Sequence, residues 1–161
     1  MKLIKSLFFI CCLAIFSCSS NEENIDTGDQ NLENPSNEVN YETQILNLLN
    51  KHRSDNGLST LEILDIIKTQ TDAHTDYMIS KGDISHDNFS DRNNYLQQNA
   101  DARGTAENVA FGYSNAQSLV NAWINSDGHR RNIEGNFTHF NLTAKQNNNG
   151  TWYYTNIFIR R

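Results

Sequence analysis

Residues 140–159, FNLTAKQNNNGTWYYTNIFI, contain two stretches typical of β-strands on either side of a short polar turn. In the first, apolar and polar residues alternate from Phe140 to Ala144, which is the period of a strand that buries one face. The second, residues 152–159, is rich in aromatic and β-branched residues. Asn148-Asn149-Gly150 between them can form a tight turn. The sequence therefore predicts a β-hairpin near the end of the chain.

Helical periodicity dominates the chain before this hairpin. Apolar residues three or four positions apart predict helices, and a glycine after the last of them predicts where a helix ends. Helices that precede a terminal hairpin predict an α+β fold, in which helices cover a small antiparallel sheet. The predicted helices are residues 41–52, ending at Asn56-Gly57; residues 63–78, ending at Gly82; a short helix around residues 93–99; and a helix that begins in a capping box at residues 114–117 and carries Leu119, Val120 and Trp123.

The start of the chain has the pattern of an export signal. Two lysines precede an apolar run at residues 7–16, and a Ser-Cys pair follows it. Residues 15–18, Ile-Phe-Ser-Cys, resemble the bacterial lipobox, in which Cys18 is acylated and becomes the new N-terminus. An ordinary cleaved signal with a chance cysteine is the alternative. We predict a lipoprotein signal peptide at residues 1–17 and attachment to a membrane through lipidated Cys18.

An acidic segment follows the signal. Residues 19–40 contain six acidic residues, no basic residue and the only proline of the chain. Such a segment buries too little apolar area to offset the entropy cost of ordering. We therefore predict a disordered tether at residues 18–40 and a folded domain at residues 41–161. The Asn-Glu-Glu at 21–23 resembles the signals that send some lipoproteins to the outer surface, although a plain solvated linker would have the same composition.

Charge and cysteine content narrow the class of function. The net charge is −6, so the chain lacks the basic surface on which nucleic-acid affinity depends, and we expect no nucleic-acid partner. All three cysteines lie within the first 18 residues. The predicted domain therefore has neither disulfides nor a cysteine nucleophile. We expect a monomer at the cell envelope.

Three polar stretches, each next to turn-forming residues, carry His86, Glu107 and His129. Two imidazoles and a carboxylate are a common ligand set for zinc, with a fourth position open for water. From the residues alone, a helix cap for His129 and a surface position for His86 remain as alternatives.

Six short motifs follow one another along the chain. They are Asn50-x-x-Arg53-x-x-x-Gly57-Leu58-x-x-Leu61, Ala73-His74, Ser85-His86, AENVAFG at residues 106–112, WINSDGHRRNI at residues 123–133 and YTNIF at residues 154–158. In this order they closely resemble the CAP superfamily, also called SCP-like, in its bacterial secreted branch. The resemblance covers residues 41–161. It implies a three-layer α-β-α sandwich with a cleft lined by histidine and glutamate side chains.

The resemblance also assigns roles to individual residues. His86, Glu107 and His129 match the two histidines and the glutamate of the family's cleft, where family members bind zinc. It therefore implies a zinc site formed by these three side chains. Ser126 stands where larger eukaryotic members have a second glutamate, and Asn156 stands in place of a family glutamine. We expect both residues to line the same cleft.

The family has no common reaction. A zinc hydrolase would need an activated water and a separate acid or base, for which only Asp87 and Asp127 lie nearby in the sequence. Ser126 lacks the sequence context of a nucleophile elbow. We therefore predict a lipid-anchored protein whose cleft binds a small ligand (a lipid, a wall component or a protein segment) or a divalent metal, without catalysis. The alternatives are a zinc-assisted hydrolase acting on peptide or cell-wall material and a structural or adhesion module.

Overall fold

The computed structural model of the protein describes residues 35–161. The predicted signal peptide, Cys18 and most of the predicted tether lie outside the described residues. The first helix begins at Pro35, so the boundary predicted at Tyr41 falls inside a helix and residues 35–40 are helical. Proline is favoured at the first position of a helix because the N–H that it lacks would have no partner there.

The described residues form five helices and four strands. None of the helices in residues 35–161 is both long and apolar enough to cross a lipid bilayer. In chain order the elements are α1 (Pro35–Asp55), β1 (Glu62–Ile63), α2 (Asp65–Lys81), α3 (Phe89–Ala100), β2 (Gly104–Phe111), α4 (Ala116–Asn125), α5 (Asp127–Ile133), β3 (His139–Gln146) and β4 (Trp152–Arg160).

The four strands form one sheet in the order β1-β3-β4-β2. Strands β3 and β4 form the predicted hairpin, and β2 pairs with β4 in the antiparallel direction. The two-residue strand β1 pairs with β3 in the parallel direction. The sheet is therefore mixed, whereas the sequence analysis predicted an antiparallel sheet and did not predict β2.

The helices cover both faces of this sheet. Helices α1, α4 and α5 pack on one face, where Trp123, Phe140, Tyr154 and Phe158 are almost completely buried. Helices α2 and α3 pack on the other face, around a smaller cluster that includes Ile157. Because residues alternate between the faces of a strand, neighbours in β4 enter different layers. The predicted three-layer α-β-α sandwich is thus confirmed.

The helix ends agree with the sequence signals, with one shift. Helix α2 ends at Gly82, which has φ +74° as expected of a glycine cap. Helix α4 is capped by Asn115, whose side-chain oxygen accepts a hydrogen bond from the Ser118 amide at 2.8 Å. The cap is therefore one residue later than Ser114, the first residue of the predicted capping box. Both residue types can cap, and the asparagine is the one in extended backbone before the first turn.

Side chains close the outer edge of β3 beyond the short strand β1. Lys68 Nζ donates to the Leu142 carbonyl at 2.9 Å, and Glu42 Oε1 accepts the Ala144 amide at 2.8 Å. Lys68 and Glu42 also form an ion pair at 2.6 Å. Helices α1 and α2 therefore supply hydrogen bonds that another strand would otherwise make.

Candidate functional site

The most buried charge of the predicted site is the Glu107 carboxylate on β2. Its side chain is only 2% exposed and points toward the layer of α2 and α3. Arg92 of α3 binds it through two parallel hydrogen bonds, Nε to Oε2 at 2.8 Å and Nη2 to Oε1 at 2.9 Å. This fork is the strongest pairing of the two side-chain types. Arg92 was not among the predicted site residues, although it is essential to this arrangement.

His86 lies on the loop between α2 and α3, and it contacts the same carboxylate. Its Nδ1 is 2.8 Å from Glu107 Oε1, and 56% of its side chain is exposed. A carboxylate without a proton can only accept, so Nδ1–H is the donor. In the neutral ring, Nε2 is then an acceptor. Glu107 thereby sets the tautomer of the one exposed imidazole in the cluster.

His74 of α2 completes this buried cluster. Its Nε2 donates to the Ser85 carbonyl at 2.7 Å and lies 3.8 Å from Glu107 Oε1. Its ring stacks on Tyr77 with the centroids 5.8 Å apart. The bond to Ser85 fixes the loop that carries His86. His74 belongs to a motif that the sequence analysis singled out, but it was not assigned to the site.

His129 of α5 does not join the Glu107 carboxylate. Its Nδ1 is buried without a hydrogen-bond partner in the described part of the chain, and its ring lies 6.3 Å from that of Trp123. Burial lowers the pKa of His129, and a charge on His86 would lower that pKa further. We therefore expect His129 to be neutral near pH 7. The structure brings together His86 and Glu107 but not the complete predicted triad.

Buried His74 and half-buried His129 predict how stability depends on pH. Burial lowers the pKa of His74, against the opposing charge of Glu107, as it lowers that of His129. The unfolded chain therefore binds protons at a higher pH than the folded chain, and unfolding is favoured as the pH falls through about 6.5. We expect the free energy of unfolding to decrease between about pH 7 and pH 5 in urea titrations. The double variant His74→Gln/His129→Gln should show a smaller slope, and an unchanged slope would contradict this origin.

The Glu107 carboxylate, as the structure places it, does not fit the role of a zinc ligand. Within residues 35–161, no three or more His, Cys, Asp or Glu side chains are arranged to hold a metal. Both oxygens of Glu107 already bind the Arg92 guanidinium, whose positive charge opposes a divalent cation. His86 gives its protonated Nδ1 to the carboxylate, so the lone pair of the ring, on Nε2, points away from Glu107, and the two side chains do not face a common ion. Zinc binding by His86, Glu107 and His129 stays a prediction from resemblance, and this geometry does not support it.

A cavity of about 250 Å³ lies beside His129. Trp123, Ile84 and Phe111 provide much of its apolar lining, and Ser126 and His129 provide polar groups. Ile84 and Phe111 are 36% and 47% exposed, which is high for large apolar side chains beside a cavity. Apolar cavities smaller than this one, about 150 Å³, bind a single aromatic ring in other proteins.

The last predicted residue, Asn156, lies apart from this cavity. It is completely buried on the central strand β4 and is not among the residues that line the cavity. Its Nδ2 donates to the Asn141 carbonyl at 3.3 Å, and its Oδ1 has no hydrogen-bond partner in residues 35–161. Ser126, in contrast, lines the cavity next to His129.

Side chains from α4 and α5 also bond to the outer edge of β2. Trp123 Nε1 donates to the Val109 carbonyl at 3.3 Å, and Asn132 Nδ2 donates to the Glu107 carbonyl at 3.2 Å. These bonds fix α4 and α5, which carry Trp123 and His129, against the strand that carries Glu107.

Two curated proteins of Bacillus subtilis are similar in sequence. The uncharacterized protein YkwD is 31% identical over 67% of this chain and 44% of its own length. The uncharacterized membrane protein YlbC is 29% identical over 74% of this chain and 34% of its own length. The chain therefore spans less than half the length of either relative.

Solved structures share the fold. A cysteine-rich secretory protein from Staphylococcus aureus superposes with a TM-score of 0.68 at 20% identity, covering 80% of this chain and 40% of its own. An outer surface protein from Borrelia burgdorferi gives 0.67 at 19% identity, covering 74% and 91%. An extracellular protein with an SCP domain from Bacillus anthracis gives 0.66 at 28% identity, covering 77% and 41%.

The family match covers most of the described residues. Residues 46–158 match the CAP family, described as the cysteine-rich secretory protein family. They include the His86 loop, the Glu107 strand and the helices that carry Trp123 and His129. The chain therefore belongs to the CAP superfamily, in its bacterial branch.

Proposed function

We propose that this chain is an extracellular binding protein, and that its cavity beside His129 takes a small uncharged molecule with one ring and one polar group. The observation that carries this proposal is the cavity itself, about 250 Å³, lined by Trp123 and by the exposed Phe111 and Ile84. Among the described residues, no Asp, Glu, Lys or Arg lines it. A ligand charge would therefore have no partner, whereas Ser126 and His129 can bond a hydroxyl group.

The charged cluster next to the cavity supports a positioning role. Arg92 joins Glu107 to α3 and also donates to the Asp87 carbonyl at 2.8 Å. His74 holds the Ser85 carbonyl, so both residues fix the loop that brings Ile84 to the cavity. The Glu107 carboxylate is neutralised by Arg92 and bonded to His86, which leaves it poorly suited to act as a base. Both points favour binding over hydrolysis.

A titration with p-cresol tests this proposal. The molecule has one apolar ring and one hydroxyl group, so we expect saturable shifts of the Val109 and Ala110 amide signals in NMR spectra. The Phe111→Ser substitution removes exposed apolar lining and should weaken binding about tenfold. The matched control is Ile63→Ser, which removes another exposed apolar side chain (58%) on β1 and should change nothing.

The same samples distinguish the alternatives. If p-cresol causes no saturable shift, or if both serine substitutions act alike, the cavity is not the binding site. Zinc titrated into the wild type tests the hydrolase alternative. Saturable zinc binding that the His86→Ala substitution abolishes would favour a metal site over the proposed one. If neither p-cresol nor zinc binds, the result would favour a structural or adhesion module.

We also propose that the mature protein is held at the cell envelope by lipid on Cys18, through the acidic segment that precedes the domain. The export signal at residues 1–17 and the lipobox-like residues 15–18 support this placement. The Cys18→Ala variant should lose its membrane association in cell fractionation. Retention of the variant in the membrane fraction would overturn lipid anchoring and leave the proposal for the cavity unaffected.

A further inference from the structure

Three arginine side chains that have no acidic partner within residues 35–161 lie at one end of the sheet. Arg103 directly precedes β2, Arg160 is the last residue of β4, and Arg131 lies in α5. The backbone N–H of Arg103 donates to the Arg160 carbonyl at 2.7 Å, so these two residues are side by side. Arg131 and Arg160 line the same cavity.

This end of the sheet differs from the rest of the domain. Within residues 41–161, every other lysine and arginine has a partner for its charge. Arg53 donates to three backbone carbonyls. The remainder each lie within 4 Å of an Asp or Glu oxygen: Lys51, Lys68, Lys81, Arg92, Arg130, Lys145 and Arg161. In a chain with a net charge of −6, the unpaired positive charge of these residues is therefore concentrated in one place.

The cavity between Arg131 and Arg160 has a volume of about 320 Å³, and none of the lining residues in the described part of the chain is acidic. Gly104 stands opposite Arg160 in the sheet register, and a Cβ on Gly104 would lie 3.7 Å from the Arg160 guanidinium. The Arg160 guanidinium group therefore packs over Gly104. At Gly135, a Cβ would come within 2.5 Å of Phe137 Cε2, so the absence of a side chain there lets the ring pack beside the cavity.

We propose that this cavity binds a phosphate monoester, carried by a small molecule or by a lipid headgroup. Two guanidinium groups present paired N–H donors that fit phosphate oxygens, and their charge matches that of a doubly charged monoester. Asn136 adds an amide donor, and the Phe137 ring offers an apolar surface to the esterified group. This site is separate from the uncharged cavity beside His129, and the two share no lining residue.

Calorimetric titration of the purified protein with glycerol 3-phosphate tests this site. The Arg131→Gln and Arg160→Gln variants should each bind about tenfold more weakly, because each loses a charge-assisted pair of hydrogen bonds. The matched control is Arg103→Gln. Arg103 is also exposed and has no acidic partner in residues 35–161, but it does not line the cavity, so its loss should change the affinity less than about twofold.

A second experiment distinguishes a lipid headgroup from a soluble ester. It measures co-sedimentation of the protein with phosphatidylcholine vesicles that contain about one tenth phosphatidic acid. Sedimentation with these vesicles, reduced in the Arg160→Gln variant, would assign the site to a lipid headgroup. Binding of glycerol 3-phosphate without sedimentation would assign it to a soluble ester. The proposal is overturned if neither probe binds, or if all three arginine variants weaken binding equally, since that would show attraction by diffuse charge only. Unchanged unfolding midpoints in urea would verify that the variants are folded.

Discussion

Replacing Arg92 with methionine is expected to lower the free energy of unfolding by about 3–5 kcal/mol. The substitution keeps an unbranched side chain but leaves the Glu107 carboxylate, 2% exposed, without its cationic partner. A buried charge that has lost its partner retains the cost of leaving water. His86 still donates one hydrogen bond, but its half-exposed ring cannot replace the fork of two bonds. Urea denaturation followed by circular dichroism measures the loss.

The matched control is the same substitution at Arg130. That arginine pairs with Asp127 at 2.6 Å, with the two side chains 39% and 80% exposed, and it donates to the Ile124 carbonyl at 3.0 Å. An exposed pair contributes at most about 1 kcal/mol and one hydrogen bond about 1 kcal/mol, so Arg130→Met should cost clearly less than Arg92→Met. The double variant Arg92→Met/Glu107→Met should be more stable than Arg92→Met alone, because no buried charge remains. Equal losses at the two arginines would show that burial of the Glu107 pair has no energetic importance.

Replacing Arg53 with methionine is expected to cost about 3 kcal/mol. Its guanidinium is buried and donates to the carbonyls of Ser59, Ile133 and Gly135 at 2.6–2.9 Å. These bonds join the end of α1 to the end of α5. Methionine fills much of the volume but leaves three carbonyl oxygens without this donor. The free energy of unfolding in urea again measures the effect.

The Arg53→Lys variant serves as the control for charge. Lysine keeps the positive charge but has a single nitrogen, so it cannot reach three carbonyls in different directions. We expect its stability to lie between those of the wild type and Arg53→Met. A loss below about 1 kcal/mol in Arg53→Met would contradict the importance of these hydrogen bonds. A lysine variant as stable as the wild type would show that charge alone is sufficient.

The first motif, residues 50–61, covers the end of α1 and the connection to β1. The structure gives the physical reason for its residues. Asn50 donates to the Leu61 carbonyl at 2.9 Å and accepts the Leu61 amide at 2.8 Å, as a neighbouring strand would. Gly57, with φ +71°, allows the chain to turn after α1. Together with Arg53 these residues fix the connection into β1. The spacing of the motif residues indicated the family. It could not indicate the hydrogen-bond partners of Asn50 and Arg53, because these partners are backbone atoms.

Strand β2 could not be predicted from its own residues. Its first five residues include Gly104, Glu107 and Asn108, residue types that are uncommon in strands. In the structure these polar residues are bonded: Arg92 holds Glu107, and Asn132 Nδ2 donates to Asn108 Oδ1 at 2.8 Å. Tertiary partners thus override local propensity. Antiparallel pairing with residues 153–160 of β4 also holds β2 in the sheet.

The candidate site was predicted only in part for a similar reason. Resemblance pointed to His86, Glu107 and His129, and the first two are in contact. The motifs contain groups that can bind metal and do not include Arg92, although a buried carboxylate also needs a cation. An arginine on the helix beside a motif glutamate was the signal that could have revealed it. His129 belongs to the opposite layer, which spacing along the chain cannot show.

Side chains at both borders of the sheet limit how other molecules can associate with this domain. At β3, Lys68 and Glu42 occupy backbone groups that face outward, and at β2 Trp123 and Asn132 do the same. A strand from another chain needs free backbone donors and acceptors in a row, and these bonds interrupt the row on each side. Copies of the domain crowded on one surface are therefore protected against edge-to-edge aggregation. A peptide partner could not be recruited by β-augmentation, and would have to bind to the helices or to a cavity.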